Sequence, residues 1–336
     1  MITATFISLL HCTVNGCFVE TFSTMADTVL QPIIDAIFEP DTSTWQYIVS
    51  DPATKEAVII DSVLNYNPAT NTISNTNAES LLALISDRGY KIVAILETHA
   101  HADHLTAARY LQQTLLRRGN PFAPICIGEL ITSVQRTFAA KYRVDPHEYD
   151  GVFDRLLSEA STISIGKITC RVLHLPGHTP DHLGYQVGSN VFVGDSLFQP
   201  DVGSARCDFP GGDARALFHS ITDKLYSLPD DYHIYVGHDY PPGGPDGRTE
   251  PRAFATVAEQ RRANKHVRDG VEEDQFIAWR KERDSSLAEP RLIHQSLQFN
   301  IRGGRLPEAS EHGHRFFQVP LKISDDVWNW GFAPQG

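Results

Sequence analysis

The chain has 336 residues, a formal net charge of −12 at pH 7 and 41% hydrophobic residues. This composition can supply a full apolar core, which excludes a wholly disordered chain and allows one large domain or two ordinary ones. The excess of acidic residues leaves no basic stripe to neutralise phosphates, so we expect no nucleic-acid partner.

The N-terminal stretch, residues 1–24, contains no Lys or Arg. It therefore lacks the charged start of a secretory signal and the Arg-rich face of a mitochondrial one. We expect a weakly structured extension over residues 1–30, with either Met1 or Met25 as the translation start. No apolar run is long enough to span a bilayer, so no membrane partner is expected. A cytoplasmic location fits best, and the N-terminus does not support a mitochondrial one.

The five cysteines are scattered, odd in number and contain no Cys-x-x-Cys pair. This pattern argues against a disulfide framework and against a thiolate zinc knuckle. A reducing compartment fits it best.

Regular secondary structure is predicted from Trp45 onward. The runs WQYIVS and EAVIID, joined by DPATK, predict a β-hairpin that Asp61 closes. After a polar loop over residues 65–77, AESLLALISDRG has apolar residues at helical spacing and ends at Gly89, and KIVAIL predicts a buried strand. This order places THAHADH, residues 98–104, at the carboxyl end of a strand, where open α/β sheets present ligands.

The remaining elements alternate between helices and strands. LTAARYLQQTLLRRG predicts a helix, PICIG a strand, and residues 129–160 a mostly helical insertion. ISI, KITCRVLHL, HLGYQVG and NVFVGD predict four strands, followed by the helix ARALFHSITDKLYSL and the strand HIYVGHD. Helices over 257–268 and 272–284 precede an irregular tail. We therefore expect a catalytic domain over residues 31–290 and an irregular C-terminal extension over 291–336, packed on it or trailing from it.

Four polar clusters follow apolar strand-like runs: THAHADH, LPGHTPDH around His178, VGDS around Asp195 and VGHDY around His238. Imidazole and carboxylate groups are ligands of zinc, iron and manganese. Loops on a rigid sheet can hold a metal and still leave coordination positions open. The clusters therefore predict a site for one or two metal ions. Histidines without such a context are predicted to be ordinary hydrogen-bonded or surface residues, with His182 more ambiguous; they are His174, His219 and His233.

The order His-x-His-x-Asp-His, Gly-His, Gly-Asp and a final His resembles the signature of the metallo-β-lactamase superfamily. This resemblance implies an α/β fold, the four-layer αββα sandwich, with metals at one edge. Within the superfamily the chain resembles the persulfide dioxygenase (sulfur dioxygenase) branch, close kin of glyoxalase II, over roughly residues 38–285. The segments that carry this resemblance are FEPDTSTWQYIVSDPATKEAVIIDSVL, THAHADH, LPGHTPDHLGY, VGDSLF, ARCDFPGGDARALFHSI and LPDDYHIYVGHDY.

The persulfide dioxygenase branch implies one Fe(II) per chain. By motif position its ligands would be His99, His178 and Asp195, which leaves three coordination positions for substrate and O₂. The other polar residues of the clusters would then orient ligands or manage protons; they are His101, Asp103, His104 and His238.

The glyoxalase II kin imply a different use of the same residues. Two Zn(II) ions, or a mixed Fe/Zn pair, would share the site, and a metal-bound hydroxide would attack a thioester carbonyl. His99, His101 and His178 would hold the first ion. Asp103, His104 and His238 would hold the second, with Asp195 bridging. Every ligand for both arrangements is present, so ligand identity does not separate the two chemistries.

The substrate residues are predicted from the same resemblance. The segment ARCDF resembles a Gly-Arg-Thr-Asp-Phe element whose arginine faces glutathione, so Arg206 would bind a substrate carboxylate or form a structural salt bridge. Tyr185 and Tyr240 would donate hydrogen bonds in the pocket or pack ordinarily. Two features depart from the better-known dioxygenases: the run Thr-Pro-Asp-His-Leu-Gly-Tyr after His178, and the length of segment 113–160.

The leading hypothesis is a mononuclear iron persulfide dioxygenase that oxidises glutathione persulfide with O₂ to sulfite and glutathione. The alternative is a dinuclear hydroxyacylglutathione hydrolase acting on an acyl-glutathione. A third hypothesis is a non-catalytic member that binds a thiol. The sequence leaves the oligomeric state open, a homodimer included.

Overall fold

The computed structural model describes residues 13–14, 17–18, 31–243 and 247–332. The chain divides into two compact units, residues 1–30 and residues 31–336. In the former, Thr13–Val14 pairs antiparallel with Cys17–Phe18. The rest of the predicted N-terminal extension lies outside the described residues, and the division into an extension, a catalytic domain and a tail stays a prediction.

The elements are numbered in chain order. The strands are β1 Thr13–Val14, β2 Cys17–Phe18, β3 Ile33–Glu39, β4 Thr44–Ser50, β5 Glu56–Ile60, β6 Val63–Asn67, β7 Thr72–Ser74, β8 Lys91–Leu96, β9 Leu105–Thr106, β10 Ile125–Gly128, β11 Arg155–Leu157, β12 Thr162–Ile165, β13 Ile168–His174, β14 Leu183–Val187, β15 Asn190–Phe192, β16 His233–Tyr235 and β17 Phe254–Thr256. The helices are α1 Thr76–Arg88, α2 Ala108–Arg117, α3 Ile131–Tyr142, α4 Pro146–Tyr149, α5 Ala214–His219, α6 Val257–Ala263, α7 Glu273–Ser285, α8 Ile293–Asn300 and α9 Asp325–Val327, with π-helical turns at Ser220–Leu225 and Trp328–Phe332.

Two six-stranded sheets form the centre of residues 31–332. The first has the order β11-β10-β8-β5-β4-β3, and the second has the order β12-β13-β14-β15-β16-β17. A small third sheet has the order β7-β6-β9. The apolar faces of the two large sheets meet in a buried layer, and its largest fully buried side chains are Tyr47, Tyr185 and Phe192.

Helices cover the outer faces of both sheets. On the first sheet, Leu82 of α1 and Leu111 of α2 pack against Ile59 and its neighbours. On the second sheet, Leu217 of α5 and Phe276 of α7 belong to the cluster that covers the strands. Each such side chain, when fully buried, contributes about 1.5–3 kcal/mol relative to exposure. The layers therefore run helix, sheet, sheet, helix, which confirms the predicted αββα sandwich.

Local sequence signals account for several elements. β4 and β5 form the predicted antiparallel hairpin, with Tyr47 opposite Ile60. α1 ends at Gly89, whose φ of 69° lies in the left-handed region that glycine adopts without a Cβ penalty. Thr256 and Glu259 form a reciprocal capping box that starts α6.

Some predicted boundaries are wrong. The insertion over residues 129–160 contains β11 as well as α3 and α4, and β11 extends the first sheet in parallel to β10. The tail after Pro290 was expected to be irregular, yet it contains α8. Strand β3 precedes the first predicted element and pairs with β4 over its whole length. Among the described residues, every helix is too short or too polar to cross a membrane.

Candidate functional site: a metal centre at the sheet edge

The four polar clusters meet at one edge of the sandwich, where strands of both sheets end. The first cluster follows β8 in the first sheet, and the other three follow β13, β15 and β16 in the second. The side chains that meet there are His99, His101, Asp103, His104, His178, Asp195 and His238. All of them except the partly exposed Asp103 are buried.

The first donor set consists of His99, His178 and Asp195. The Oδ2 atom of Asp195 lies 4.0 Å from Nε2 of His99 and 3.7 Å from Nε2 of His178. The three ligand atoms lie within 4.8 Å of one another, so one ion placed among them could touch all three. The three residues predicted to hold iron therefore come together.

The second donor set consists of Asp103, His104 and His238. The Oδ2 atom of Asp103 lies 3.1 Å from Nδ1 of His104 and 3.3 Å from Nε2 of His238. The same nitrogen of His238 lies 3.4 Å from Oδ1 of Asp195. Asp195 thus faces the first donor set with one oxygen and the second with the other, which is the position of a bridging ligand.

Hydrogen bonds determine which ring nitrogen of each histidine carries the proton. Nδ1 of His99 donates to Thr98 Oγ1 at 3.0 Å, because that hydroxyl itself donates to Asp61. Nδ1 of His178 donates to the carbonyl of Arg206 at 2.8 Å, and Nδ1 of His238 donates to the carbonyl of Ser43 at 3.2 Å. In the neutral rings the Nε2 atoms that face the centre therefore carry lone pairs, as metal ligands must.

His101 has the opposite arrangement. Its Nε2 lies 3.2 Å from a carboxylate oxygen of Asp61 and 3.1 Å from one of Glu97, so this nitrogen carries the proton. Burial opposes the charged form, but the two carboxylates outweigh it and hold the pKa of His101 well above its usual value. Nδ1 of His101 is left facing the centre.

Four of these facing atoms are buried without a hydrogen-bond partner: His99 Nε2, His101 Nδ1, His104 Nε2 and Asp195 Oδ1. A buried polar atom without a partner costs about 1–3 kcal/mol. Metal ions bound among these atoms would supply the missing partners. Burial and the neighbouring imidazoles also lower the pKa of His99, which keeps the ring neutral for ligation. The residues present therefore fit a metal centre.

A cavity of about 700 Å³ opens over the donors. Asp103, His178, Asp195 and His238 form part of its floor. Its wall carries Lys265, Arg283 and Arg291, and none of these three cations forms an ion pair within the described residues. The cavity therefore combines a metal centre with a positively charged wall, although the chain as a whole is acidic.

The model of the metallo-beta-lactamase superfamily matches residues 40–238, more than half of the chain. The chain belongs to the metallo-beta-lactamase superfamily. Its relatives in this superfamily are enzymes, and the chain is an enzyme as well. The family and the chemistry of the donors together imply bound metal ions.

Three relatives narrow the comparison. The beta-lactamase hydrolase-like protein of Xylella fastidiosa is 42% identical to this chain over 86% of the chain. The chain spans only 65% of that relative's length. Glyoxylase B2 of Dictyostelium discoideum is 42% identical, over 86% of this chain and 96% of its own. The mitochondrial persulfide dioxygenase of Homo sapiens is 30% identical, over 81% of this chain and 89% of its own length.

A solved structure agrees with the predicted branch of the superfamily. The crystal structure of ETHE1 from Myxococcus xanthus matches with a TM-score of 0.64 and 27% identity, over 81% of this chain and all of that one. The chain is therefore similar both to proteins named as persulfide dioxygenases and to one named as a glyoxylase.

Of the three predicted substrate residues, Arg206 and Tyr240 line the cavity over the metal donors, whereas Tyr185 does not. Arg206 lines the cavity, but its guanidinium pairs with both carboxylate oxygens of Asp208 at 2.5 Å and also donates to the carbonyl of Ala288. Tyr240 lines the cavity and stacks on His238, with the ring centroids 5.8 Å apart. Tyr185 does not reach the cavity, because it is buried between the sheets and its hydroxyl donates to the carbonyl of Glu97 at 2.7 Å.

Two residues that support the centre were not predicted from the sequence. His182 accepts a hydrogen bond from the backbone N–H of Asp195 at 3.0 Å, and its ring stacks on His99 with centroids 4.8 Å apart. Asn300 of α8 donates to the carbonyls of His101 and His104, both at 2.8 Å. The sequence pointed to His182 only through the run Pro-Asp-His after Thr179, which differs from the better-known dioxygenases. No local pattern pointed to Asn300.

Proposed function

We propose that this metallo-beta-lactamase superfamily enzyme is a mononuclear iron persulfide dioxygenase. It would oxidise glutathione persulfide with O₂ and water to sulfite, glutathione and two protons. The observation that carries the proposal is the first donor set, two imidazoles and one carboxylate from three strand ends beside an open cavity. This donor combination is typical of non-haem iron(II) oxygenases.

His99, His178 and Asp195 would hold the iron. Iron(II) held by three protein donors supplies three further coordination positions and the redox chemistry that O₂ requires. The chain's own hydrogen bonds keep these donors in place before the ion arrives, since the Thr98 hydroxyl and the Arg206 carbonyl fix the two ring orientations.

The cavity wall would bind the substrate. Glutathione carries two carboxylates, and the unpaired cations Lys265, Arg283 and Arg291 offer partners for them. Phe198, Val202 and Leu287 line the same cavity and limit the access of water to the sulfur. The wall would therefore hold the peptide part of the substrate while the sulfur points to the floor.

A dinuclear thioester hydrolase is the second candidate, and two observations favour it. The second donor set is complete, with the oxygen atoms of Asp195 directed to both sets. Glyoxylase B2 is also more similar to the chain, at 42% identity, than the persulfide dioxygenases are, at about 30%. Its substrate would be an acyl-glutathione, held by the same wall.

The test is elemental analysis of protein purified without oxygen, combined with oxygen uptake on addition of glutathione persulfide. We expect one iron per chain and uptake of O₂. Asp195→Ala should lose both, whereas Asp87→Ala, an exposed aspartate of α1, should lose neither. Two metals per chain with cleavage of an acyl-glutathione in the absence of O₂ would instead support the hydrolase. Protein that neither retains metal nor turns over either substrate would support a non-catalytic thiol-binding member.

A further inference from the structure

A second cavity, of about 570 Å³, lies between α2, β7 and the chain that follows α8. Its apolar lining comes from Leu64, Ile73, Phe299 and Leu306. We call it the arginine cavity, because Arg109, Arg117 and Arg305 also line it. It shares no lining residue with the cavity over the metal donors.

The three arginines form no ion pair among the described residues, and no carboxylate lines the cavity. Arg117 and Arg305 are exposed and Arg109 is partly buried. The neighbouring Arg118, by contrast, forms an ion pair with Glu79 at 2.8 Å and does not line the cavity.

Arg109 is the most enclosed of the three. Its Nη1 donates to Gln112 at 2.7 Å and its Nη2 donates to the carbonyl of Val152 at 2.5 Å, but its Nε is buried without a partner. Burial, with a smaller contribution from the charge of Arg305, lowers the pKa of Arg109, and the charge of Asp154 opposes this lowering. The cavity therefore contains positive charge that an incoming anion would stabilise.

Apolar lining and unpaired guanidinium groups together define the chemistry of a ligand. The volume is within the range of about 300–1,000 Å³ that small-molecule pockets have. We propose that the arginine cavity is a second binding site, for a small amphipathic anion whose carboxylate or phosphate pairs with the arginines and whose apolar body covers Ile73 and Phe299. Guanidinium geometry suits both kinds of anionic head group.

The experiment uses the full chain and the fluorescent sulfonate anilinonaphthalene sulfonate as the probe. Octanoate and octyl phosphate should displace the probe, and the more effective of the two identifies the preferred head group. Octanol has the same apolar body without the charge and should displace it at least about tenfold less well, since a charge-assisted hydrogen bond contributes the equivalent of about one factor of ten. Equal displacement by octanol would overturn the proposal.

Variants locate the binding. Arg117→Gln and Arg305→Gln should each weaken the octanoate-displaceable binding by about tenfold. Arg118→Gln removes the same charge one residue beyond the end of α2, outside the cavity, and should leave the binding unchanged. Thr114→Trp, on the solvent-facing lining, should block it. Equal affinity in all four variants would show that the probe binds elsewhere and would defeat the assignment.

The metal centre provides an independent control. Asp195→Ala removes the shared donor but leaves the arginine cavity intact, so it should bind the probe as the parent chain does. If octanoate-displaceable binding disappears in this variant, then the probe occupies the cavity over the metal donors and the proposal of a second site fails. This outcome is separate from any result on oxygen uptake.

Discussion

The two donor sets share Asp195 but differ in what supports them. The first set is held by groups at the sheet edge itself: the Thr98 hydroxyl, the Arg206 carbonyl and the His182 ring. The second set depends on parts of the chain that are distant in sequence. The carbonyl of Ser43, in the β3–β4 turn, orients His238, and Asn300 of α8 holds the loop of His104. The two sets can therefore be disturbed separately, and their occupancy decides between the two proposed chemistries.

The largest expected effect comes from a matched pair of ligand variants. His178→Ala should abolish iron retention and oxygen uptake, because it removes one of three donors of the first set. His238→Ala should retain iron and lose about 10–100-fold in activity, as is usual for groups that only orient a site. Metal content and oxygen uptake are measured for both, with His219→Ala as the exposed control. Loss of one of two bound metals in His238→Ala would contradict the mononuclear proposal.

Asn300→Ala tests the support of the second set. It removes the donors to the carbonyls of His101 and His104 and the acceptor of the Thr106 N–H. Each buried group left without a partner costs about 1–3 kcal/mol, so we expect a clear loss in the free energy of unfolding, measured by urea denaturation of the metal-free protein.

The matched control is Gln298→Ala in the same helix. Gln298 is also a buried amide, but it bonds to the carbonyls of His294 and Gln318 and does not contact the metal loop. Both variants should lose stability, and only Asn300→Ala should also lower oxygen uptake, because Asn300 alone of the two holds the loop of His101 and His104. Equal oxygen uptake by the two variants would show that α8 does not support the second set.

His182 tests the support of the first set. His182→Leu removes the acceptor for the Asp195 N–H, whereas the side-chain carbonyl of His182→Gln can still accept that hydrogen bond. We expect the leucine variant to bind metal about 10–100-fold more weakly and the glutamine variant to recover most of the affinity. Metal titration followed by thermal unfolding of the metal-free proteins separates this effect from packing. Equal affinities of the two variants would argue for a packing role alone.

The smallest effect on activity is expected at the cavity wall, because the same cavity opens over residues of both donor sets. Lys265→Ala and Arg291→Ala should each raise KM several-fold with kcat little changed, because they contribute to binding of substrate and transition state alike. The effect should shrink at high salt. Lys322→Ala, which removes an exposed cation paired with Glu289 outside the cavity, is the control. A lower kcat at constant KM would show that the wall acts in the chemical step.

Local patterns predicted much of the fold. Two strand-like runs joined by the turn-rich DPATK predicted the hairpin of β4 and β5, and helical spacing ending at Gly89 predicted α1. Strands β11 and β3 were missed, because strand formation there depends on pairing with β10 and β4 rather than on a local pattern.

The same distinction applies to the site. The donors were predicted because clustered histidines after strand-like runs leave a local signal. Asn300, which bonds to carbonyls 196 and 199 residues away, leaves no such signal. The family resemblance left Tyr185 either in the pocket or in ordinary packing, and the structure has it on β14 with its side chain buried between the sheets. The alternation of side chains along a strand decides such a position.

The centre has a mechanical consequence as well. Its donors come from loops of both sheets. Four donor residues lie in the loop after β8 of the first sheet, and one lies after each of β13, β15 and β16 of the second. A bound ion would therefore act as a cross-link between the two layers, next to the hydrogen bond from the Trp45 N–H to the Gly237 carbonyl that already joins them. Since an ion that binds only the folded chain stabilises it by about 4 kcal/mol at a thousand times its dissociation constant, the metal would be part of what holds the sandwich closed.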